Sequence, residues 1–252
     1  MHKLFKNTGF IGKKAFFLPS CHSTNEIASM LLTKQEQLNG TVVYTDYQSA
    51  GKGQRGNKWE SESGSNILLS IVLEADFIEP TDFFDLTIIT SLAIHDLLSE
   101  YYKDGFKIKW PNDLYFNDKK IAGILIENYI KKKCIEWSII GVGLNVNQRN
   151  FEEEMAISLG QICDQSFDRE ELIGILLQKV EARFYELKSG KKSRLRSDYI
   201  SHLYWKDELH VFLSEGTYFN GKIANVDPSG KLMIDTENGQ RYFDLKEVQF
   251  IK

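Results

Sequence analysis

The apolar positions of the chain fall into short continuous runs interleaved with runs at helical spacing. Residues 16–18 and 41–44 are short apolar runs that predict strands, with an amphipathic helix over 25–32 between them. Residues 67–73, rich in Ile, Leu and Val, predict a buried strand. Leu86, Ile89, Leu92, Ala93 and Leu97 then recur at helical spacing and predict a helix over 82–100. Further apolar runs at 108–110, 114–116, 121–126 and 135–144 predict a mixed or antiparallel sheet. Asn117-Asp118 reads as a hairpin turn between two of them, and residues 131–133 as a second, solvated turn. The helical pattern returns over 168–187, with Asp168 as its N-cap.

After residue 205 the pattern changes to strand-like runs at 209–213, 218–226, 232–235 and 241–244, separated by Gly216, Gly230 and Gly239. Several short strands in so few residues predict a small β-barrel. The expected organisation is therefore α+β, with a catalytic-sized domain over 1–205 and an appendage over 206–252. No internal repeat or low-complexity tract interrupts it.

Composition adds limits. The 252 residues are 42% hydrophobic and 26% charged, enough for a core without disulfide or metal staples. A net charge of -4 argues against a dedicated nucleic-acid binder. Cys21, Cys134 and Cys163 lie far apart with no metal or disulfide spacing, which points to a reducing cytosol. Lys13-Lys14, the apolar Ala15-Phe16-Phe17-Leu18 and then Cys21 faintly resemble a lipoprotein signal. Four apolar residues fall short of the roughly 7–15 such a segment needs, so a strand is the better reading. No stretch approaches the ~20 apolar residues of a membrane span. A cytoplasmic protein without membrane partners is expected.

Four segments carry candidate chemistry. Gly51-Lys52-Gly53-Gln54-Arg55-Gly56-Asn57-Lys58-Trp59 combines exposed amides with cationic side chains, a composition suited to an anion. Its GxGxxG spacing is not a dinucleotide fingerprint, because Trp59-Glu60-Ser61 follows where a helix should open. Lys109-Trp110-Pro111-Asn112-Asp113 places two charges around an apolar Trp, and Lys120 heads an apolar strand in which Gly123 leaves room for a ligand. Lys119-Lys120 alone would read as a solvated turn. Gly141-Val142-Gly143-Leu144-Asn145 ends a buried strand with space and an amide. Ser23-Thr24-Asn25-Glu26 reads as a capping box, and equally as a helix amino terminus able to grip a small polar group.

Taken in this order, the segments from Ser23 to Asn147 resemble the biotin–protein ligase family. The resemblance implies a mixed sheet flanked by helices, distantly like class II synthetases, with an SH3-like carboxy-terminal barrel. It implies that biotin and ATP, with Mg²⁺ carried mainly by the nucleotide, form biotinyl-5′-AMP, from which a lysine of a biotin carboxyl carrier protein takes the biotin. On that template Ser23, Thr24 and Gln48 would hold the ureido head, and Asn25, Gly51, Lys52, Gly123 and Gly141 would line the same pocket. Lys120 would meet the carboxylate and α-phosphate. Gly53, Gln54, Arg55, Asn57, Lys58, Trp59 and Lys109 would belong to the adenylate side, and Asn145 would bind phosphate. Catalysis would fall to Lys120, Arg55 and Asp113, the last orienting the incoming amine. Residues 148–159, with Phe151, Met155 and Ile157, are candidates to hold adenine, and Trp59 either covers the ligand or anchors its loop.

Two departures stand out. Gln54 and Asn57 occupy positions where the family loop commonly carries arginine. Only some twenty residues precede Ser23, too few for the three-helix DNA-binding module that repressor members of the family carry, so no DNA partner is expected. A monomer or homodimer is equally compatible. The competing readings are a lipoate–protein ligase, which shares the adenylation logic, and a non-catalytic biotin sensor, which would not need phosphate-neutralising groups.

Overall fold

The computed structural model describes residues 7–34, 38–131 and 134–251. Its main sheet has seven strands, β1 (Ala15–Leu18), β2 (Thr41–Thr45), β3 (Ile67–Glu74), β4 (Phe106–Lys109), β5 (Asp113–Phe116), β6 (Lys119–Lys131) and β7 (Cys134–Leu144). They lie in the order β1-β2-β3-β7-β6-β5-β4, with β1 parallel to β2 and every other pairing antiparallel. The parallel pair needs a crossover, which α1 (Thr24–Leu32) supplies. The sheet as a whole is mixed, and its β4–β7 part is antiparallel, so the structure takes both arrangements the apolar runs allow. The run at residues 15–18 is a strand. Asn117 makes the β5–β6 turn in the left-handed region, at φ 51°. Of the second predicted turn, Lys132 and Lys133 lie outside the described residues.

β3 is buried from Ile67 to Leu73 because both faces are covered. Ile67, Leu69, Ile71 and Leu73 join the large core beneath α2 (Phe84–Tyr101) and α4 (Arg169–Lys188), while Val72 packs with Ala28 of α1 on the other face. α2 begins at Phe84 after a 3-10 turn over Pro80–Asp82, two residues later than its apolar spacing predicts. It is buried almost all round, since α4 and α5 (Lys192–Ser201) cover the side away from the sheet. Asp168 caps α4, accepting from Glu170 N and Glu171 N at 2.8 and 3.2 Å. On the same helix the Glu181 carboxylate accepts the backbone N–H groups of Gly9, Phe10 and Ile11 at 2.5, 2.7 and 2.8 Å, fastening the segment before β1. Short α3 (Leu159–Cys163) carries a complete capping box of Ser158 and Gln161.

The carboxy-terminal strands β8 (Leu209–Ser214), β9 (Thr217–Val226), β10 (Leu232–Thr236), β11 (Gly239–Phe243) and β12 (Gln249–Ile251) form one antiparallel sheet in the order β11-β10-β9-β8-β12. Its β9–β10 turn is seated against Trp110, α2 and α5. Trp110 Nε1 donates to Gly230 O at 2.9 Å, and Arg196 donates to Asp227 O and Pro228 O at 3.4 and 3.2 Å. The Phe84 ring covers Gly230 so closely that a Cβ there would lie 2.7 Å from it. Among the described residues no helix is long and apolar enough to cross a membrane.

Candidate active site

Strand alternation builds the floor of the site. Ile139 faces α1, so Gly141 and Gly143 on β7 face the same way, and Gly123 on β6 stands opposite Gly143. Three glycines on one face of a sheet leave a trough without side chains. Two groups enter it: Trp59 lies over Gly123 and Gly143, and Asn25 is set against Gly141. The space above is a cavity of about 410 Å³, within the size range of small-molecule sites.

One end of this cavity is neutral and hydrogen-bonded. Ser23, Thr24, Asn25 and Gln48 line it, and the first three are buried. The expected capping box is absent: Ser23 stands at the N-cap position with no side-chain bond to the helix. Gln48 does that work from outside the helix, its Oε1 accepting Thr24 N at 2.7 Å and Thr24 Oγ1 at 3.2 Å. Ser70, which faces α1 from β3, lies 2.7 Å from Thr24 Oγ1 and 2.6 Å from Asn25 Oδ1. Asn25 Nδ2 then donates to Glu127 Oε2 at 2.7 Å and Leu125 O at 3.3 Å. Glu26, freed from capping, pairs with Lys52 Nζ at 2.5 Å, and this bond raises the Lys52 pKa.

The glycine-rich segment closes on itself. Gly53 N donates to Asn57 O at 2.7 Å and Trp59 N to Gly51 O at 2.9 Å, around a 3-10 turn over Gln54–Gly56. Gly51 is buried in this closure and does not line the cavity, whereas Lys52, Gly53, Gln54, Asn57, Lys58 and Trp59 do. Arg55 sits on the turn, and its side chain lies outside the described residues. Trp59 lines the cavity and rests on the glycine floor.

Lys120 and Asp113 meet across the cavity wall at 2.9 Å, each about 24% exposed, with the Lys120 ammonium 5.5 Å from the Trp59 ring centroid. A half-buried pair of this kind is screened far less than a surface one. Lys109 Nζ lies over the rings of Tyr115 and Phe250 at 4.7 and 5.1 Å. Burial and the nearby Asp113 carboxylate push the Tyr115 phenol well above its ordinary range, so it stays neutral. Altogether Lys52, Lys58, Lys109, Lys120 and Lys246 line the cavity against one carboxylate, Asp113, among the described residues. That balance suits a polyphosphate. The described residues hold no group of three His, Cys, Asp or Glu placed for a metal.

Asn145, like Gly51, is a predicted residue that stands off the cavity lining. It is buried outside the cavity lining, with Nδ2 donating to Ile157 O at 3.1 Å and its backbone N to Ile121 O at 2.9 Å. The adenine candidates at 148–159 also lie off the lining, tied to β6 through Lys120 N to Met155 O and Ile157 N to Lys120 O. Conversely, the motifs gave no hint of the wall formed by Leu245, Lys246, Val248, Gln249 and Phe250, which comes from the carboxy-terminal sheet. Ser70, which lies in none of these motifs, joins the hydrogen-bonded end of the site, and strand alternation from Ile71 places it on the α1 face.

Comparison with known proteins agrees with this geometry. Residues 17–145 match the biotin/lipoate A/B protein ligase family. The chain is 29% identical to the bifunctional ligase/repressor BirA of Bacillus subtilis, over 92% of this chain and 72% of that protein. It is 27% identical to the biotin–[acetyl-CoA-carboxylase] ligase of Mycobacterium tuberculosis, over 84% of this chain and 80% of that one. The biotin protein ligase of Aquifex aeolicus, solved with biotin and ATP, superposes with a TM-score of 0.79 at 28% identity, covering 95% of this chain and 99% of that chain.

Proposed function

The chain belongs to the biotin/lipoate A/B protein ligase family, and on that premise we propose that its cavity activates biotin with ATP and passes it to a lysine of a biotin carboxyl carrier protein or domain. One observation carries this reading: a single cavity joins a neutral, hydrogen-bonding pocket at α1 to a lysine-rich end. The first suits an uncharged ureido ring, the second a nucleotide. Ser23, Thr24 and Gln48 hold the ring, with Asn25, Lys52, Gly123 and Gly141 around it. A carboxylate oxygen attacks the α-phosphorus of ATP, the bond to the β-phosphate breaks, and pyrophosphate leaves. Lys120 neutralises the two anions as they approach. The segment at 51–59 covers the mixed anhydride and excludes water, with Gly53, Gln54, Arg55, Asn57, Lys58 and Trp59 on the adenylate side.

The acceptor amine then attacks the acyl carbon, AMP departs, and the amine's proton is lost. Asp113, held by Lys120, orients that amine and draws its proton. Lys109 adds charge beside the nucleotide. Asn145 acts at one remove, fixing residue 157 and the start of β6 rather than touching phosphate. Residues 1–205 form the catalytic unit and 206–252 an SH3-like barrel that closes one side of it.

ATP–pyrophosphate exchange with Mg²⁺, run with biotin, lipoate or no acid, tests the assignment. Exchange that requires biotin and collapses in Lys120→Ala is expected. Exchange driven by lipoate would transfer the mechanism to the family's other substrate, and tight biotin binding without exchange would leave a sensor.

A further inference from the structure

The hydrogen bonds at the neutral end of the cavity run in one direction, set by atoms that have no choice. Asn25 Nδ2 lies 2.7 Å from Glu127 Oε2 and 3.3 Å from Leu125 O. A carboxylate and a carbonyl only accept, so the Asn25 nitrogen is turned to them and its Oδ1 to Ser70 Oγ, 2.6 Å away. An amide oxygen cannot donate, so the single Ser70 hydrogen goes to Asn25. Ser70 Oγ also lies 2.7 Å from Thr24 Oγ1. With its own hydrogen committed, Ser70 can only accept there, and the Thr24 hydrogen points at Ser70. The longer contact from Thr24 Oγ1 to Gln48 Oε1, at 3.2 Å, takes at most a share of it.

Thr24 is buried and lines the cavity, so it presents a ligand with oxygen lone pairs and no hydrogen. Gln48 Oε1, which accepts Thr24 N at 2.7 Å, is likewise an acceptor. We propose that Ser70 is a specificity-determining residue: it holds the Thr24 hydroxyl as an acceptor, so the pocket takes a ring that donates N–H and turns away one that offers oxygen or sulfur there. Ser70 is fully buried and off the cavity lining, so it is a positioning residue that acts through Thr24. The proposal rests on the biotin reading above and deepens it. A cyclic urea supplies the donor that Thr24 requires, and the dithiolane ring of lipoate has none.

Comparing ligands on one protein tests this, because a loss of stability weighs on both alike. Biotin and the two analogues in which one or the other ring N–H is replaced by oxygen are titrated calorimetrically, without ATP, into wild type and Ser70→Ala. In wild type the analogue that sets its oxygen against Thr24 binds about 100-fold or more weakly than biotin, since a hydrogen bond is lost and two lone pairs meet. In Ser70→Ala the Thr24 hydrogen is released and rotates to the ring oxygen, so that ratio falls to about tenfold or less. Ser70→Thr keeps the hydroxyl and restores the wild-type ratio. A ratio in Ser70→Ala equal to that of wild type overturns the proposal, making Ser70 a partner of Asn25 alone, and leaves the ligase reading intact. Wild type that binds both analogues as well as biotin overturns it too. A wild-type protein that binds lipoate and not biotin overturns both.

Discussion

Replacing Gly143 by alanine probes how the trough is covered. The added Cβ would lie 2.7 Å from Trp59 Cζ2 and closer still to Cε2. Carbon atoms sit comfortably at about 3.5–4.0 Å, so the indole must retreat by roughly 1 Å. Overpacking of this kind is worth about 1–3 kcal/mol. What matters is which state absorbs it. Trp59 stands on a segment closed by two of its own backbone bonds, Gly53 N to Asn57 O and Trp59 N to Gly51 O, and that segment can move as a unit. The strain is then released by shifting the segment away from the cavity, and it appears as lost retention of the ligand that the segment helps enclose. One to three kcal/mol corresponds to about 5- to 150-fold faster release of biotinyl-adenylate, with the melting temperature changed by less than about 2 °C. Gly141→Ala makes the contrast. Its Cβ would lie 3.1 Å from Asn25 Cγ, and Asn25 is buried and bonded to Ser70, Leu125 and Glu127. Nothing there can lift away, so the same strain falls on folding and lowers the melting temperature by about 2–4 °C per kcal/mol. Single-turnover release of the labelled intermediate and thermal melts of both variants suffice. Equal melting losses in the two, or wild-type retention in Gly143→Ala, would refute the reasoning.

Three other outcomes follow from the same structure. His95, half-buried against His202 with ring centroids 4.0 Å apart, has its pKa lowered from 6.5 to about 4 by burial first, then by His202; Lys107 adds to this, while Asp96 and a Phe106 backbone bond oppose it. The unfolded chain therefore binds the extra proton between those values. Stability is fully present above pH 6.5 and falls by up to about 3 kcal/mol as pH drops towards 4; denaturant titrations of His95→Gln should show a flatter slope in that window. Trp110→Phe leaves the buried Gly230 carbonyl without its donor and should destabilise by about 1–3 kcal/mol, with limited proteolysis cutting first near residue 205. Gln54→Arg with Asn57→Arg adds two cations to the cavity lining; adenylate release should slow by roughly tenfold, and a rate no slower than wild type would remove charge as the limiting factor.

Most of the seven-stranded sheet could be read directly because its strands bury long apolar runs. Residues 67–73 are buried throughout and read so. α5 escaped because only Leu195 and Tyr199 of it are buried, which leaves almost no apolar stripe to see. β12 is three residues long and was invisible for the same reason. At the site, local spacing misled in one place: Ser23 and Glu26 have capping-box spacing, yet Gln48, distant in sequence, takes the helix end, and Glu26 turns to Lys52. Asn145 follows a glycine pair on a strand that does line the site, but it falls past the end of β7, and its amide turns to Ile157. The wall at 245–250 depends on how the five-stranded sheet packs beside the seven-stranded one, which no local pattern encodes.

The three-glycine floor divides the site into a part that is backbone and a part that is side chain. On β6 and β7 the ligand would meet peptide groups whose positions are set by the pairing of Gly123 with Gly143 and Leu125 with Gly141. Selection can do little there, since any larger residue collides with Trp59 or Asn25. Discrimination between ring systems of similar size must then be written in the roof: the start of α1, Gln48 and the segment at 51–59. Those elements can drift while the floor stands still, which gives one scaffold a route to new acids without rebuilding its sheet.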